Sequence, residues 1–250
     1  MAVPIADLTA YLNDLLQVER YDEGVPSNGL MVDAGRDVSR IAAAVNTSFA
    51  SIAGAAEAGA ELLLVHHSTW ASIDRFLKDG KEAKLREAGV SLYCAHASLD
   101  CAPGFSTGDE LAKLAGVEVE GRFAEYCGGL AGVHGRATGT FAELAGRLRN
   151  VLGVPVESWQ NSEAFGHVAI VPGGGGMTDM LDEARSLGCD TYVTGEGSMY
   201  TKLFALETGM NLFFGTHYAT EAPGIRALAQ RTGAHFGLPW TFVEEAPSVL

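Results

Sequence analysis

Residues 39–67 read SRIAAAVNTSFASIAGAAEAGAELLLVHH and contain the pattern that decides the fold. Residues 39–45 form an apolar run that predicts a buried strand, and residues 61–65 predict a second one. Between them, residues 47–59 have the length and composition of a helix. A strand, a helix and a strand in this order are typical of a parallel sheet covered by helices.

The same alternation continues on both sides of this unit. The predicted helices are 5–18, 74–88, 107–115, 140–152, 177–187, 198–208 and 218–232. The further predicted strands are 90–95, 166–171, 190–194 and 211–214, with one or two more in the tail 234–243. Residues 117–139 interrupt the alternation with six glycines, which predicts an antiparallel ribbon or a domain crossing. We therefore expect an α/β fold of two lobes with mainly parallel sheets.

Composition and charge exclude several classes of protein. Of the 250 residues, 47% are hydrophobic and 19% are charged, as in an ordinary globular protein. The net charge of −14 disfavours nucleic acid and anionic membranes as partners, because both attract clustered basic residues. The sequence shows no basic start typical of a signal peptide, no long uncharged apolar span and no CxxC pair. We therefore expect a soluble cytoplasmic protein whose cysteines are isolated buried thiols.

Four of the seven histidines follow predicted strands. His66 and His67 follow ELLLV, His96 follows VSLYCA, and His217 follows NLFFGT. Ligands of α/β proteins bind at the carboxyl ends of strands, so these positions suit a functional site. For His134, His167 and His235 we expect structural roles instead.

Carboxylates accompany these histidines at suggestive spacings. Asp100 lies four residues after His96, and Glu221 lies four residues after His217, which places the latter pair on one face of a helix. His66 and His67 are adjacent, so an extended backbone points them to opposite sides, and they suit two ions better than one. Imidazole and carboxylate without thiolate favour Zn, Fe, Mn or Co. The alternative is that each histidine is a satisfied polar residue and that His217 and Glu221 form a helix-surface pair.

Three further features have more than one interpretation each. His96 is a candidate catalytic residue as a proton shuttle, and otherwise a ligand or a partner of Asp100. Glu196 is a candidate general base, and otherwise a carboxylate at a helix N-terminus. The run Gly173–Gly176 either wraps a phosphate or forms a turn without a ligand.

Taken together, these blocks resemble one known family. HHS after ELLLV, AHASLD, GCDTYVTGE and GTHYATE, with NGLMV at 28–32, are similar to the Nif-three-like dinuclear metal-centre family, the GTP cyclohydrolase 1 type 2 homologues. Their order and spacing match over nearly the whole chain. The resemblance implies that two divalent transition-metal ions (Zn, Fe or Mn) are bound by the following residues: His66, His67, Asp100, His217 and Glu221.

The resemblance also implies an assembly and a reaction. It implies a homohexamer. For the two lobes we expect a metal-site lobe of residues 1–120 plus 216–250 and a second lobe of residues 121–215. A water activated by the two ions would hydrolyse a nucleotide or related small molecule, with GTP opening its imidazole ring and releasing formate. The alternatives are a non-catalytic metal-binding hexamer with a scaffold or regulatory role, and a two-metal phosphohydrolase.

The chain departs from the family pattern at two positions. Asn46 stands where relatives usually carry Asp, and Ser68 stands where they usually carry Pro. Neither change removes a metal ligand, so we expect metal binding to persist.

Overall fold

The computed structural model describes residues 2–70 and 74–245. Its strands are β1 (Asn28–Val32), β2 (Ile41–Asn46), β3 (Leu62–His67), β4 (Ser91–Ala95), β5 (Val117–Tyr126), β6 (Gly129–Ala137), β7 (Glu157–Trp159), β8 (His167–Val171), β9 (Thr191–Thr194), β10 (Asn211–Phe214) and β11 (Trp240–Phe242). Its α-helices are α1 (Ile5–Leu16), α2 (Phe49–Glu57), α3 (Lys78–Ala88), α4 (Ala97–Asp100), α5 (Thr107–Ala115), α6 (Phe141–Leu152), α7 (Thr178–Ser186), α8 (Met199–Thr208) and α9 (His217–Phe236). Within the described ranges, no helix is both long and apolar enough to cross a membrane.

The chain divides into two compact units. The first comprises the chain up to Ala102, Cys127–Gly129 and Ile225–Glu245, and the second comprises Pro103–Tyr126 and Leu130–Gly224. Residues 103–120 and 216–224, which the sequence-based division assigns to the metal-site lobe, thus cluster with the second unit. Met1, 71–73 and 246–250 of that predicted lobe lie outside the described residues.

The first unit is built on a five-stranded sheet in the order β1-β4-β3-β2-β11. Strands β4, β3, β2 and β11 are parallel, and β1 is antiparallel to β4. The predicted unit of β2, α2 and β3 is confirmed, with Ile41 paired to Leu62. Nearly every residue of β2, β3 and β4 is buried, as expected for strands that are covered on both faces.

The second unit is built on a six-stranded sheet in the order β5-β6-β8-β9-β10-β7. Its strands β8, β9 and β10 are parallel, as predicted, whereas β6 is antiparallel to β8 and β7 is antiparallel to β10. The glycine-rich segment 117–139 forms the neighbouring strands β5 and β6, so the antiparallel ribbon predicted there is present as the edge of this sheet. The fold is therefore α/β with two mixed sheets, of which the first is mainly parallel.

Candidate functional site

The first unit brings three histidines together. His66 and His67 end β3, and His96 follows β4, the strand beside it. One ligand nitrogen from each ring lies within 4.8 Å of the others, and we call these residues the histidine cluster. The ring centroids of His66 and His67 are 4.8 Å apart. The two rings therefore lie closer together than expected for side chains that point to opposite sides of a strand. Strand alternation fixes only the direction of Cβ, whereas hydrogen bonds of the rings fix where the imidazoles lie.

Each of the two adjacent histidines binds an acceptor through Nδ1. His66 is fully buried, and its Nδ1 lies 2.7 Å from the carbonyl oxygen of Ala95. His67 Nδ1 lies 2.7 Å from Oδ1 of Asn46 on β2. A neutral imidazole that donates from Nδ1 has its lone pair on Nε2, which is the arrangement of metal-binding histidines. Both rings are therefore oriented as ligands through Nε2.

His96 shows the same arrangement with a carboxylate. Its Nδ1 lies 2.5 Å from Oε2 of Glu23, and the other oxygen of Glu23 accepts from Asn28 Nδ2 at 2.7 Å. Burial opposes the ionisation of Glu23, but the hydrogen bond and charge of His96 outweigh it and hold the pKa of Glu23 below its ordinary value. A carboxylate thus fixes the orientation of the His96 ring. Sequence reasoning missed Glu23, because the loop that carries it matches no motif.

Asp100 completes this group. It ends the one-turn helix α4, and its Oδ1 lies 3.5 Å from Nε2 of His66. Because Asp100 lies four residues after His96, one helical turn places its carboxylate beside the histidines. Imidazole nitrogen and carboxylate oxygen here converge on one another, as the ligands of one cation do.

The second unit holds the other predicted ligands. His217 begins α9 and Glu221 lies one turn later, with His217 Nε2 3.1 Å from Glu221 Oε1. Glu196 follows β9, and its Oε1 lies 2.9 Å from His217 Nδ1. Burial lowers the pKa of His217, but the hydrogen bonds and charges of Glu221 and Glu196 outweigh it and raise that pKa to about 9. Glu196 therefore orients His217, as Asn46 orients His67.

Gly173 provides the space for this pair. It has a φ of +62°, and a Cβ at this position would lie 2.0 Å from Glu221 Oε1 and 2.9 Å from His217 Nε2. Its N–H donates to Thr220 Oγ1 at 3.0 Å. The first glycine of the run Gly173–Gly176 therefore packs against the carboxylate, and its N–H is already engaged within the protein.

A groove of about 540 Å³ adjoins Glu196 within the second unit, a size that suits a small-molecule ligand. Its lining residues are Gly174, Gly176, Met177, Thr178, Glu196, Gly197, Ser198 and Tyr200. It lies where α7 and α8 begin, so backbone N–H groups of two helix starts are near it.

The residues present fit divalent transition metals. The histidines with Asp100 in the first unit, and His217 with Glu221 in the second, each offer imidazole Nε2 and carboxylate oxygen, which are suitable ligands for Zn, Fe and Mn. Each described histidine of the two groups has its Nδ1 held by an acceptor, and Gly173 leaves open the space beside His217 and Glu221. The chemistry and the space both agree with metal binding.

Comparison with known proteins decides the family. The family model described as Duf34/NIF3 (NGG1p interacting factor 3) matches residues 3–248. The chain belongs to the DUF34/NIF3 family. This confirms the resemblance that the HHS, AHASLD and GTHYATE blocks indicate.

Known proteins are similar to this chain along nearly its whole length. A GTP cyclohydrolase 1 type 2 homolog of Deinococcus radiodurans is 32% identical over 253 residues, covering 95% of this chain and 91% of the relative. The protein of the same name from Halobacterium salinarum is 36% identical over 237 residues, covering 90% of this chain and 91% of its own. The solved structure of protein ybgI, described as of unknown function, has a TM-score of 0.86 at 28% identity and 98% coverage of both chains. The two-sheet α/β fold is thus that of the NIF3 family.

Proposed function

We propose that this NIF3-family protein is a metal-dependent hydrolase that binds two divalent transition-metal ions per chain. The observation that carries the proposal is that an acceptor holds the Nδ1 atom of each of the three histidines proposed as ligands. In His66, His67 and His217, Nδ1 faces a carbonyl, amide or carboxylate oxygen. Orientation through Nδ1 is characteristic of histidines that bind metal through Nε2.

The proposed ligands are those implied by the family resemblance: His66, His67, Asp100, His217 and Glu221. Two bound ions would supply Lewis acidity and lower the pKa of water toward neutrality. Asn46 and Glu196 hold the rings of His67 and His217 in the orientation that ligation needs.

Two residues are the proposed proton carriers. His96 Nδ1 faces Glu23 Oε2, which leaves Nε2 as the atom that would exchange a proton with the substrate. Glu196 lines the groove and has a side chain that is 62% exposed, so its carboxylate is accessible to a bound substrate as a general base. Glu196 would thus orient His217 and accept a proton from the substrate side.

The proposed substrate is a nucleotide or related small molecule, with GTP as the first to test. Two relatives bear the name GTP cyclohydrolase 1 type 2 homolog, and the groove has a volume suitable for such a ligand. Attack of one water on the purine carbon between the two imidazole nitrogens would open that ring to a formamide, and hydrolysis of the formamide by a second water would release formate. Neither a nucleic acid nor a membrane is part of the proposal, and the proposed location is the cytoplasm.

We further propose that the chain forms a homohexamer. Helix α8 exposes large apolar side chains, which in soluble proteins mark association surfaces. They are Met199, Tyr200, Leu203 and Leu206. Light scattering during size-exclusion chromatography measures this mass directly, and a monomeric mass contradicts the assembly.

The decisive experiment measures metal content per chain by elemental mass spectrometry. We expect about two ions in the native protein and fewer in His67→Ala. His235→Ala is the matched control, because His235 stacks on Tyr11 with ring centroids 4.0 Å apart and is not a proposed ligand. Absence of metal after reconstitution with Zn, Fe or Mn would contradict the proposal.

Turnover is tested on the metal-loaded protein. Incubation with GTP is expected to release formate. Release of phosphate would indicate a two-metal phosphohydrolase instead. Full metal loading without hydrolysis of nucleotides or esters would indicate a metal-binding scaffold.

A further inference from the structure

A separate group of ligand-type side chains lies in the second unit. His134, His167 and Cys189 each place one ligand atom within 4.8 Å of the others, and we call them the His–Cys cluster. His167 and Cys189 are buried, and His134 is half-buried. Sequence reasoning assigns structural roles to both histidines and to this cysteine, because the three positions form no motif.

The His–Cys cluster is remote from the proposed metal ligands of the same unit. His167 is the first residue of β8, and Cys189 precedes β9 by two residues. Gly173, which packs against Glu221, instead follows the carboxyl end of β8. Five strand residues separate the two ends by about 13 Å. The cluster therefore lies at the amino ends of the parallel strands and constitutes a different site.

Strand register brings the two imidazoles together. In the antiparallel pair of β6 and β8, His134 pairs with Ala169 and Arg136 pairs with His167. His134 and His167 are thus diagonal neighbours on one face, within reach of long side chains. His134 Nδ1 lies 3.1 Å from His167 Nε2, and Glu120 Oε2 lies 3.5 Å from that same Nε2.

The backbone leaves space for this arrangement. A Cβ at Gly121 would lie 2.5 Å from His134 Nε2, so the glycine on β5 permits the ring to lie against that strand. Burial, with a smaller effect of His167, lowers the pKa of His134, which keeps the ring neutral as ligation requires. Burial also raises the pKa of the Cys189 thiol to about 12, so the thiol is inert until a cation displaces its proton.

We propose that His134, His167 and Cys189 form a Zn²⁺ site, with Glu120 as the fourth ligand. Two imidazoles, one thiolate and one carboxylate suit a borderline-soft ion of tetrahedral preference. Zn–N bonds of about 2.0 Å and a Zn–S bond of about 2.3 Å put tetrahedral ligand atoms about 3.3 to 3.6 Å apart. The ligand atoms of His134, His167 and Cys189 lie within 4.8 Å of one another, so their separations need to shorten by about 1.3 Å at most.

Binding of the cation at the His–Cys cluster would release one proton. The Cys189 thiol releases its proton to solvent and binds as thiolate, while the histidines bind through neutral nitrogen. Glu120 has a side chain that is 44% exposed and accepts from Arg136 Nε at 3.3 Å, so ligation by Glu120 would replace this ion pair with a bond to the cation. The site would tie β5, β6 and β8 to the segment that enters β9. It does not rest on the proposed hydrolytic function.

The test is a titration of the metal-free full chain with Co²⁺, a spectroscopic substitute for Zn²⁺. We expect a thiolate-to-cobalt charge-transfer band that Zn²⁺ abolishes. The proposed hydrolytic centre includes no cysteine, so Co²⁺ bound there gives no such band. The band should persist in Cys127→Ser and disappear in Cys189→Ser.

A second variant keeps the test decisive if Cys189→Ser does not fold. His134 is half-buried, so His134→Ala should fold, and we expect its apparent Co²⁺ affinity at the charge-transfer band to fall about tenfold or more. Absence of the band in the native chain, its persistence in Cys189→Ser, or an unchanged affinity in His134→Ala would each overturn the proposal.

Discussion

The Nδ1 atom of His67 lies 2.7 Å from Oδ1 of Asn46, across the paired ends of β3 and β2. Only one orientation of the Asn46 side-chain amide satisfies the hydrogen bonds to both of its neighbours. Oε2 of Glu245 accepts from the N–H of Asn46 at 2.9 Å and from its Nδ2 at 3.1 Å, so Oδ1 must face His67. The side chain and N–H of Asn46 are thus held by the half-buried carboxylate of Glu245 beside them.

Removing this amide should weaken metal binding. Asn46→Ala leaves His67 without its acceptor, and loss of such a partner typically lowers metal affinity about 10- to 100-fold. Metal titration followed by calorimetry measures the change. Ser48→Ala is the control, because Ser48 also binds Glu245 but does not contact His67. Equal affinities in Asn46→Ala and the native protein would contradict the role of Asn46.

Replacing Asn46 with Asp should destabilise this chain. Asn46→Asp puts a carboxylate against Glu245, whose own pKa is raised chiefly by burial. In the double variant Asn46→Asp/Glu245→Gln the repulsion is absent. We expect a coupling free energy of unfolding of about 1 to 3 kcal/mol between the two changes, measured by urea denaturation. Additive effects would show that the two side chains are independent.

Gly173→Ala should abolish metal binding beside His217. The new Cβ would lie 2.0 Å from Glu221 Oε1, so the carboxylate must move. The control is Gly153→Ala, at the C-cap of α6, which has a similar φ of +68° but nothing within 4 Å of the added Cβ. Both variants should lose about 1 to 2 kcal/mol of stability from the left-handed backbone. Only Gly173→Ala should lose metal, as shown by elemental analysis.

Glu221→Ala should lose at least one ion and keep the fold. The side chain is buried against His217 at the start of α9, whereas the sheets are held together by apolar packing. Glu207→Ala, which removes an exposed carboxylate from α8, should keep the native metal content. Metal-to-chain ratios and circular dichroism test both parts, and retention of both ions in Glu221→Ala would contradict its assignment as a ligand.

Glu61 should make the stability of the first unit depend on pH. Burial opposes its ionisation, but the N–H and hydroxyl of Ser39 and the N–H of Arg40 outweigh it and hold the pKa of Glu61 below its ordinary value. Because the folded pKa is depressed, the stabilisation is present above the unfolded pKa and is lost as the pH falls through the folded one.

Glu61→Ala should therefore lower the free energy of unfolding by about 1 to 2 kcal/mol at neutral pH. The difference from the native protein should shrink at about pH 3. Urea titrations at both pH values measure it, with the exposed Glu57→Ala as control. A difference that is the same at both pH values would show that the charge of Glu61 is not the cause.

Within the described residues, local pattern predicted much of the fold but missed three short strands and α-helices. The predicted helix 107–115 and strand 211–214 match α5 and β10 residue for residue. The missed elements are β1, α4 and β7. Each has five residues or fewer, which is too short for a hydrophobic period, and β1 and β7 exist because they pair with β4 and β10.

The sequence by itself determined the α/β class, the family and the positions of His66, His67, His96 and His217 after their strands. These follow from local hydrophobic patterns and from motifs within short segments. Only the tertiary structure decided which nitrogen of each ring is held by an acceptor and which residues form the His–Cys cluster. The acceptors of the four rings are 21 to 73 residues away along the chain, and such pairings depend on strand order and register rather than on local composition.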